Sequence, residues 1–173
     1  MHFRSLDDPV RACMVQELDA DIAAGRVYLS RRLTETGAAR WPALLHEALS
    51  QGTPASLAAA LRAEGLLHTS ESKRRNGRVF ISDVPESAAL TLAEGEYNRF
   101  YIRGVCMRAI AEGRKVTVYR AKAVPVPRSS SEALIGTTVD PAALLEDLRG
   151  NPGSGSKLGI PPGPNSGVSV FIG

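Results

Sequence analysis

Between Pro85 and Gly113 the chain carries no proline, and Leu92, Tyr97, Tyr101, Val105 and Ile110 recur along it at helical spacing. Phe100, Ile102 and Met107 widen that apolar surface beyond a single stripe. The segment predicts one long helix over about residues 86–112, apolar on enough sides to be central to the fold, with Gly95 and Gly104 as places where it can bend. On it, Glu96, Arg99 and Arg103 stand three and four residues apart, spaced to form an ion-paired ridge.

Three more helices are announced by a capping residue followed by proline. Asp7 and Asp8 precede Pro9, and Val10, Met14, Leu18 and Ile22 follow at helical spacing, predicting a helix over about 9–24. Its polar face, Arg11, Glu17, Asp19 and Asp21, is largely acidic. Thr53–Pro54 opens a short helix that closes on Gly65, and Asp140–Pro141 opens another that runs to Gly150. Trp41, Leu44, Leu45, Ala48 and Leu49 form one stripe in a helix over 38–51, where Pro42 is tolerable only in the first turn.

Strand signals are fewer. Arg26–Leu33 reads as an extended connection or an edge strand. The run KRRNG, residues 73–77, ends in Asn-Gly, which tolerates the positive φ of a tight turn, and RVFISDV follows it, so a β-hairpin is expected. KVTVYRAKAVPVP begins as a strand and is broken by Pro125 and Pro127, which suit an edge strand or an exit loop. The fold class is therefore α+β: a mainly helical core with a long central helix, a small antiparallel sheet or hairpin, and an extended C-terminal arm. At 173 residues and 43% hydrophobic, residues 1–150 make one domain, while 151–173 is a Gly/Pro-rich arm ending in an alternating strand. In that arm Ile160, Val168, Val170, Phe171 and Ile172 are candidates for inter-subunit contact, by strand addition to a neighbour's sheet. The globular part should then fold without it.

Chemical motifs are absent. Cys13 and Cys106 have no Cys or His at metal or redox spacing, and His2, His46 and His68 lie on separate elements. No metal ligand, cofactor-binding residue or catalytic residue is assigned. Glycine-rich GIPPGPNSG holds three prolines, which remove the amide donors that a phosphate-binding loop needs. Arg120 with Ser129, Ser130, Ser131 and Glu132 has a weak look of mono-ADP-ribosyltransferases, but the elements are too close in sequence to spread around a cleft. An enzyme would need Arg120 and Glu132 in one pocket. Nothing in the chain approaches a membrane-spanning run.

Charge is uneven. Residues 73–128 hold twelve Lys/Arg against five Asp/Glu, so +7 lies there and −4 in the remainder of a chain of net charge +3. Lys73, Arg74, Arg75, Arg78, Arg114 and Lys115 are the candidates for contact with DNA or an acidic partner. A helix, then Gly65-Leu66-Leu67, then a basic hairpin resembles the wing of winged-helix DNA-binding proteins. Those proteins place two helices in tandem before the wing. Only one fits between Thr53 and Gly65 unless 38–51 supplies the first.

The phrases EGEYNRFYIRGVC (94–106), VYRAK (118–122), SSSEALIG (129–136) and LGIPPGPNSGVSV (158–170) resemble a group of small uncharacterised proteins of tailed bacteriophages and prophages, from the virion structural module. The resemblance runs over most of the chain from about Pro9 and carries no functional residues with it. It implies a non-enzymatic structural or assembly protein of the virion, assembled in the host cytoplasm. Such a protein would be a head or neck subunit, a connector, an adaptor, or a component associated with capsid or portal. It would be a homo-oligomer among portal, capsid or tail proteins, with non-specific DNA contact and no membrane. The alternative is a winged-helix-like DNA-binding protein using hairpin residues 73–78.

Overall fold

In this computed structural model the elements run, in chain order, α1 (Asp8–Ala23), α2 (Glu35–Gln51), α3 (Pro54–Ala63), β1 (Ser70–Arg75), β2 (Arg78–Asp83), α4 (Ala88–Ala111), β3 (Val116–Arg120), α5 (Ser129–Glu132), β4 (Thr138–Val139), α6 (Pro141–Gly150) and β5 (Val168–Ile172). Residues 1–153, 156–163 and 165–173 are described; Ser154, Gly155 and Pro164, part of the expected arm, lie outside the described residues.

The fold is α+β and is organised around α4. Every residue from Glu96 to Cys106 on this helix is buried. Burial on all sides requires neighbours on all sides, and α1, α3, α6 and β5 pack along it. Gly104 is a point of close approach. A Cβ placed there would lie 2.8 Å from Met14 Cγ and 2.9 Å from the Val10 carbonyl oxygen, because α1 crosses α4 over this glycine. Gly104→Val is therefore expected to force the two helices apart at a cost of about 1–3 kcal/mol. In thermal unfolding that is a Tm lower by roughly 2–12 °C, at about 2–4 °C per kcal/mol for a chain of this size.

The capping signatures hold. Asp7 accepts from the Val10 amide, Thr53 and Ser56 form a reciprocal capping box, and Asp140 accepts from the amides of Ala142 and Ala143. The second helix starts earlier than its apolar stripe suggests, because Thr34 caps it by accepting from the Gly37 amide. Pro42 consequently lies inside α2 rather than in its first turn. Gly37 is itself required: a Cβ there would come 2.2 Å from the Leu66 carbonyl oxygen, where the chain after α3 returns across the start of α2. Arg26–Leu33 forms no strand, only a single bridge from Leu33 to Leu67.

β3 is the middle strand of an antiparallel sheet ordered β4-β3-β5, and Pro125 and Pro127 lie in the loop beyond its end. Val118 pairs with Val170 and Val116 with Ile172. The expected C-terminal arm is corrected here: the segment turns back and completes this chain's own sheet. Val116, Val118, Val168 and Val170 are buried in the same core as α4, and β3 has a hydrogen-bonded strand on each side. Ile160 is also buried, while Phe171 and Ile172 are half-buried. The approach to β5 is held by Asp147, whose carboxylate accepts from the amides of Lys157 (2.9 Å) and Leu158 (2.8 Å).

Candidate functional site

The hairpin β1–β2 forms as its turn residues dictate, with Asn76 at φ 49° and Gly77 at φ 78° and Arg75 paired with Arg78. Alternation then sorts its side chains onto two faces. Glu71, Lys73 and Phe80 share one face and are the better covered; Ser72, Arg74, Val79 and Ile81 share the other. On that second face Val79 is 61% and Ile81 69% exposed. The base of the hairpin is fastened by Glu71, which accepts two bonds of 2.9 Å from Arg32 and pairs with Lys73 at 3.2 Å. The Arg32 guanidinium, with Lys73 beside it, holds the Glu71 carboxyl down to about 2. Towards the tip, Arg74, Arg75 and Arg78 make no ion pair among the described residues.

The six cations expected to act together do not form one group. Lys73, Arg74, Arg75 and Arg78 are on the hairpin, whereas Arg114 and Lys115 lie in the turn between α4 and β3. There Arg114 binds Glu112 and the Gly173 carbonyl, and Lys115 binds Asp140 at 2.7 Å. Arg120 and Glu132 do meet, but as an ion pair in which each takes up the other's charge; Arg120 also donates to the Ser166 carbonyl at 2.7 Å. The tandem helices that a winged helix requires are present, since α2 and α3 are separated only by Gly52 and Thr53 and the hairpin follows them. The exposed residues of α3, however, are Ala55, Ser56, Ala59, Arg62 and Ala63, so one arginine is its only long polar side chain.

Inside the fold the expected ridge is replaced by a buried network. Arg103 is 1% exposed and pairs with Glu17 and Asp21 of α1, while Arg149 of α6 closes on Glu17 from the other side. Burial pushes the Glu17 carboxyl up, but Arg149 and Arg103 outweigh it and leave it below the usual carboxylate range. Arg99 does not pair with Glu96 either; it donates to the carbonyls of Leu148 (2.7 Å) and Asn151. The sequence signal for this network lies in α1, where Glu17 and Asp21 continue the buried stripe of Val10, Met14 and Leu18 instead of the opposite face.

Beside the network is a cavity of about 270 Å³ over α4, between the segment around Tyr28–Arg32 and the chain leading to β5. Gly95 and Leu92 form its floor, and Glu96 and Arg99 flank them. Burial raises the Glu96 carboxyl to about 7, against the pull of Arg99 and Arg103. Cys106 is buried, and desolvation pushes its thiol up to about 12. Among the described residues no group of three or more His, Cys, Asp or Glu could hold a metal ion, and no helix is long and apolar enough to cross a membrane. No protein-family model matches the chain, and neither the curated proteins nor the solved structures contain a match to it.

Proposed function

We propose that this protein is a non-enzymatic assembly subunit of a bacteriophage virion, a head or neck component that self-associates through its β1–β2 hairpin. The observation that carries the reading is the outer face of the hairpin, where Val79 and Ile81 stand exposed side by side on a two-stranded ribbon. Such a ribbon is marginal in water by itself, and β-branched side chains on it gain most when another surface covers them. A complementary surface exists on the same chain. The shallow groove along α1 is lined by Ala12 and Val15 with Asp8, Asp19 and Arg11, whose guanidinium is already bonded to the carbonyls of Leu49 and Gly52. Asp8 makes no ion pair among the described residues, and Asp19 faces only His46 at 3.9 Å. Hairpin to groove is a head-to-tail contact between unlike surfaces, the geometry that forms a ring where the rotation closes and a filament where it does not. The virion setting rests on the sequence resemblance given above, and the C-terminal segment has no part in this contact.

Sedimentation should find the wild-type chain oligomeric and V79D/I81D monomeric with unchanged helical circular dichroism. A wild-type chain that stays monomeric at high concentration would sink the reading. The tandem order of α2, α3 and hairpin favours a second one, DNA contact by the wing. That reading expects salt-sensitive binding that is lost when Lys73, Arg74, Arg75 and Arg78 are changed to alanine. It leaves Val79 and Ile81 without a role.

A further inference from the structure

The geometry points to a binding site for a small zwitterion, of the class of a free α-amino acid with a short apolar side chain, in the cavity over α4. The inference stands apart from the assembly reading. It begins from two buried groups of opposite charge that do not use each other. Glu96 is 7% exposed and makes no hydrogen bond or ion pair among the described residues. Arg99, three positions on, is also 7% exposed and spends only Nη2, on the carbonyls of Leu148 and Asn151, leaving Nε and Nη1 unbonded among the described residues. A buried carboxylate beside a buried guanidinium ordinarily closes into a salt bridge, because leaving either unpaired is costly. Here both line an open space instead.

That space has the features of a built site. Its volume of about 270 Å³ falls just below the ~300–1,000 Å³ of pockets for drug-sized ligands, and so suits a smaller molecule. A Cβ placed at Gly95 on the floor meets nothing within 4 Å. One wall, from Leu92, Ala88, Leu148 and Pro161, is apolar. The other cations at the rim are occupied: Lys122 binds both oxygens of Glu94 (2.6 and 2.8 Å), which the Met1 amino group also faces at 4.0 Å, and Arg32 is bound to Glu71. The wall also contains Asn98, 4% exposed, whose Nδ2 donates to the Val168 carbonyl while Oδ1 has no partner. What remains unsatisfied is one carboxyl, one guanidinium edge and the Asn98 amide oxygen. An ammonium donates to the first and a carboxylate accepts from the second, while a short side chain lies on the apolar wall.

The arrangement makes binding sensitive to pH. An ammonium needs Glu96 ionised. The charges facing that carboxyl are Arg99 and Arg103 from its own helix and Asp21 from α1, with Glu94, Lys122 and Arg32 across the cavity. With the group titrating at about 7, affinity falls about tenfold from pH 8 to pH 6.

The test is calorimetry and thermal shift on the full chain with L-leucine, and with isovalerate and isoamylamine as its two halves. L-leucine is expected to bind more tightly than either half and to raise the Tm. Glu96→Gln should lose the response to isoamylamine and retain that to isovalerate. Gly95→Leu fills the floor and should weaken L-leucine at least tenfold; if it does not fold, Gly95→Ala, which adds one methyl group, should weaken binding in the same direction. No response to millimolar L-leucine in the wild type overturns the proposal, as does equal binding by the Gly95 variant, or by Glu96→Gln with an unchanged pH profile.

Discussion

Arg103→Ala should unfold at a far lower temperature than the wild type, with an expected loss of about 3–5 kcal/mol measured by denaturant titration at neutral pH. The side chains of Arg103, Glu17 and Asp21 are 1%, 3% and 5% exposed. Removing the guanidinium therefore leaves two carboxylates out of water, each with one part-exposed cation remaining among the described residues, Arg149 on Glu17 and Arg26, at 3.3 Å, on Asp21. The loss is that of stranding charges and not the net value of the network, because a buried ion pair repays its own desolvation only in part. A variant in which Glu17, Asp21 and Arg103 are all replaced by apolar residues of similar volume is accordingly expected to lose much less. Acid gives a second view of the same network. The folded-state carboxyl of Glu17 lies below the ordinary glutamate value of 4.5, so its contribution is fully present above that value and is lost as pH falls through the lower, folded one. Arg103→Ala should flatten this acid limb.

Removal of residues 168–173 should abolish cooperative folding altogether. The truncation takes Val168 and Val170 out of the core, and burying each is worth about 1.5–3 kcal/mol. It also strips the ladder from one side of β3 and exposes Val116 and Val118. Together these losses approach the ~5–15 kcal/mol by which a whole domain is stable. The measurable outcome is loss of the cooperative thermal transition and binding of a hydrophobic dye. A truncated chain with a wild-type unfolding transition would show instead that the sheet is dispensable.

The parts of this fold that the sequence announces are local. Thr53–Pro54 and Asp140–Pro141 name their helices because capping involves residues three or four apart, and Asn76–Gly77 names its turn for the same reason. The long helix is legible because its composition excludes other readings. What was not legible depends on pairs far apart in the chain. Val170 has the alternation of a strand, but nothing near it indicates whether Val118 of this chain or a neighbour's edge receives it. Arg103 similarly looks like a solvated ridge residue until Glu17, on another helix, is found against it. Of the candidate sites, the hairpin cations were readable as a run of like charge. The exposure of Val79 and Ile81 was not, since an apolar strand residue is normally covered. The cavity is invisible in the sequence because its walls come from at least five separate stretches of chain.

The central place of β3 in its sheet also has a kinetic side. During synthesis on the ribosome β3 emerges with β4 and α6 still to come, and its other partner, β5, follows both of them. Until then Val116 and Val118 lack half their cover and the strand has an open edge, the state in which nascent chains aggregate. Closing the sheet is a long-range step and hence a slow one. Translation halted before β5 should therefore yield insoluble products, and chaperone demand should peak in the interval before residues 168–172 clear the exit tunnel.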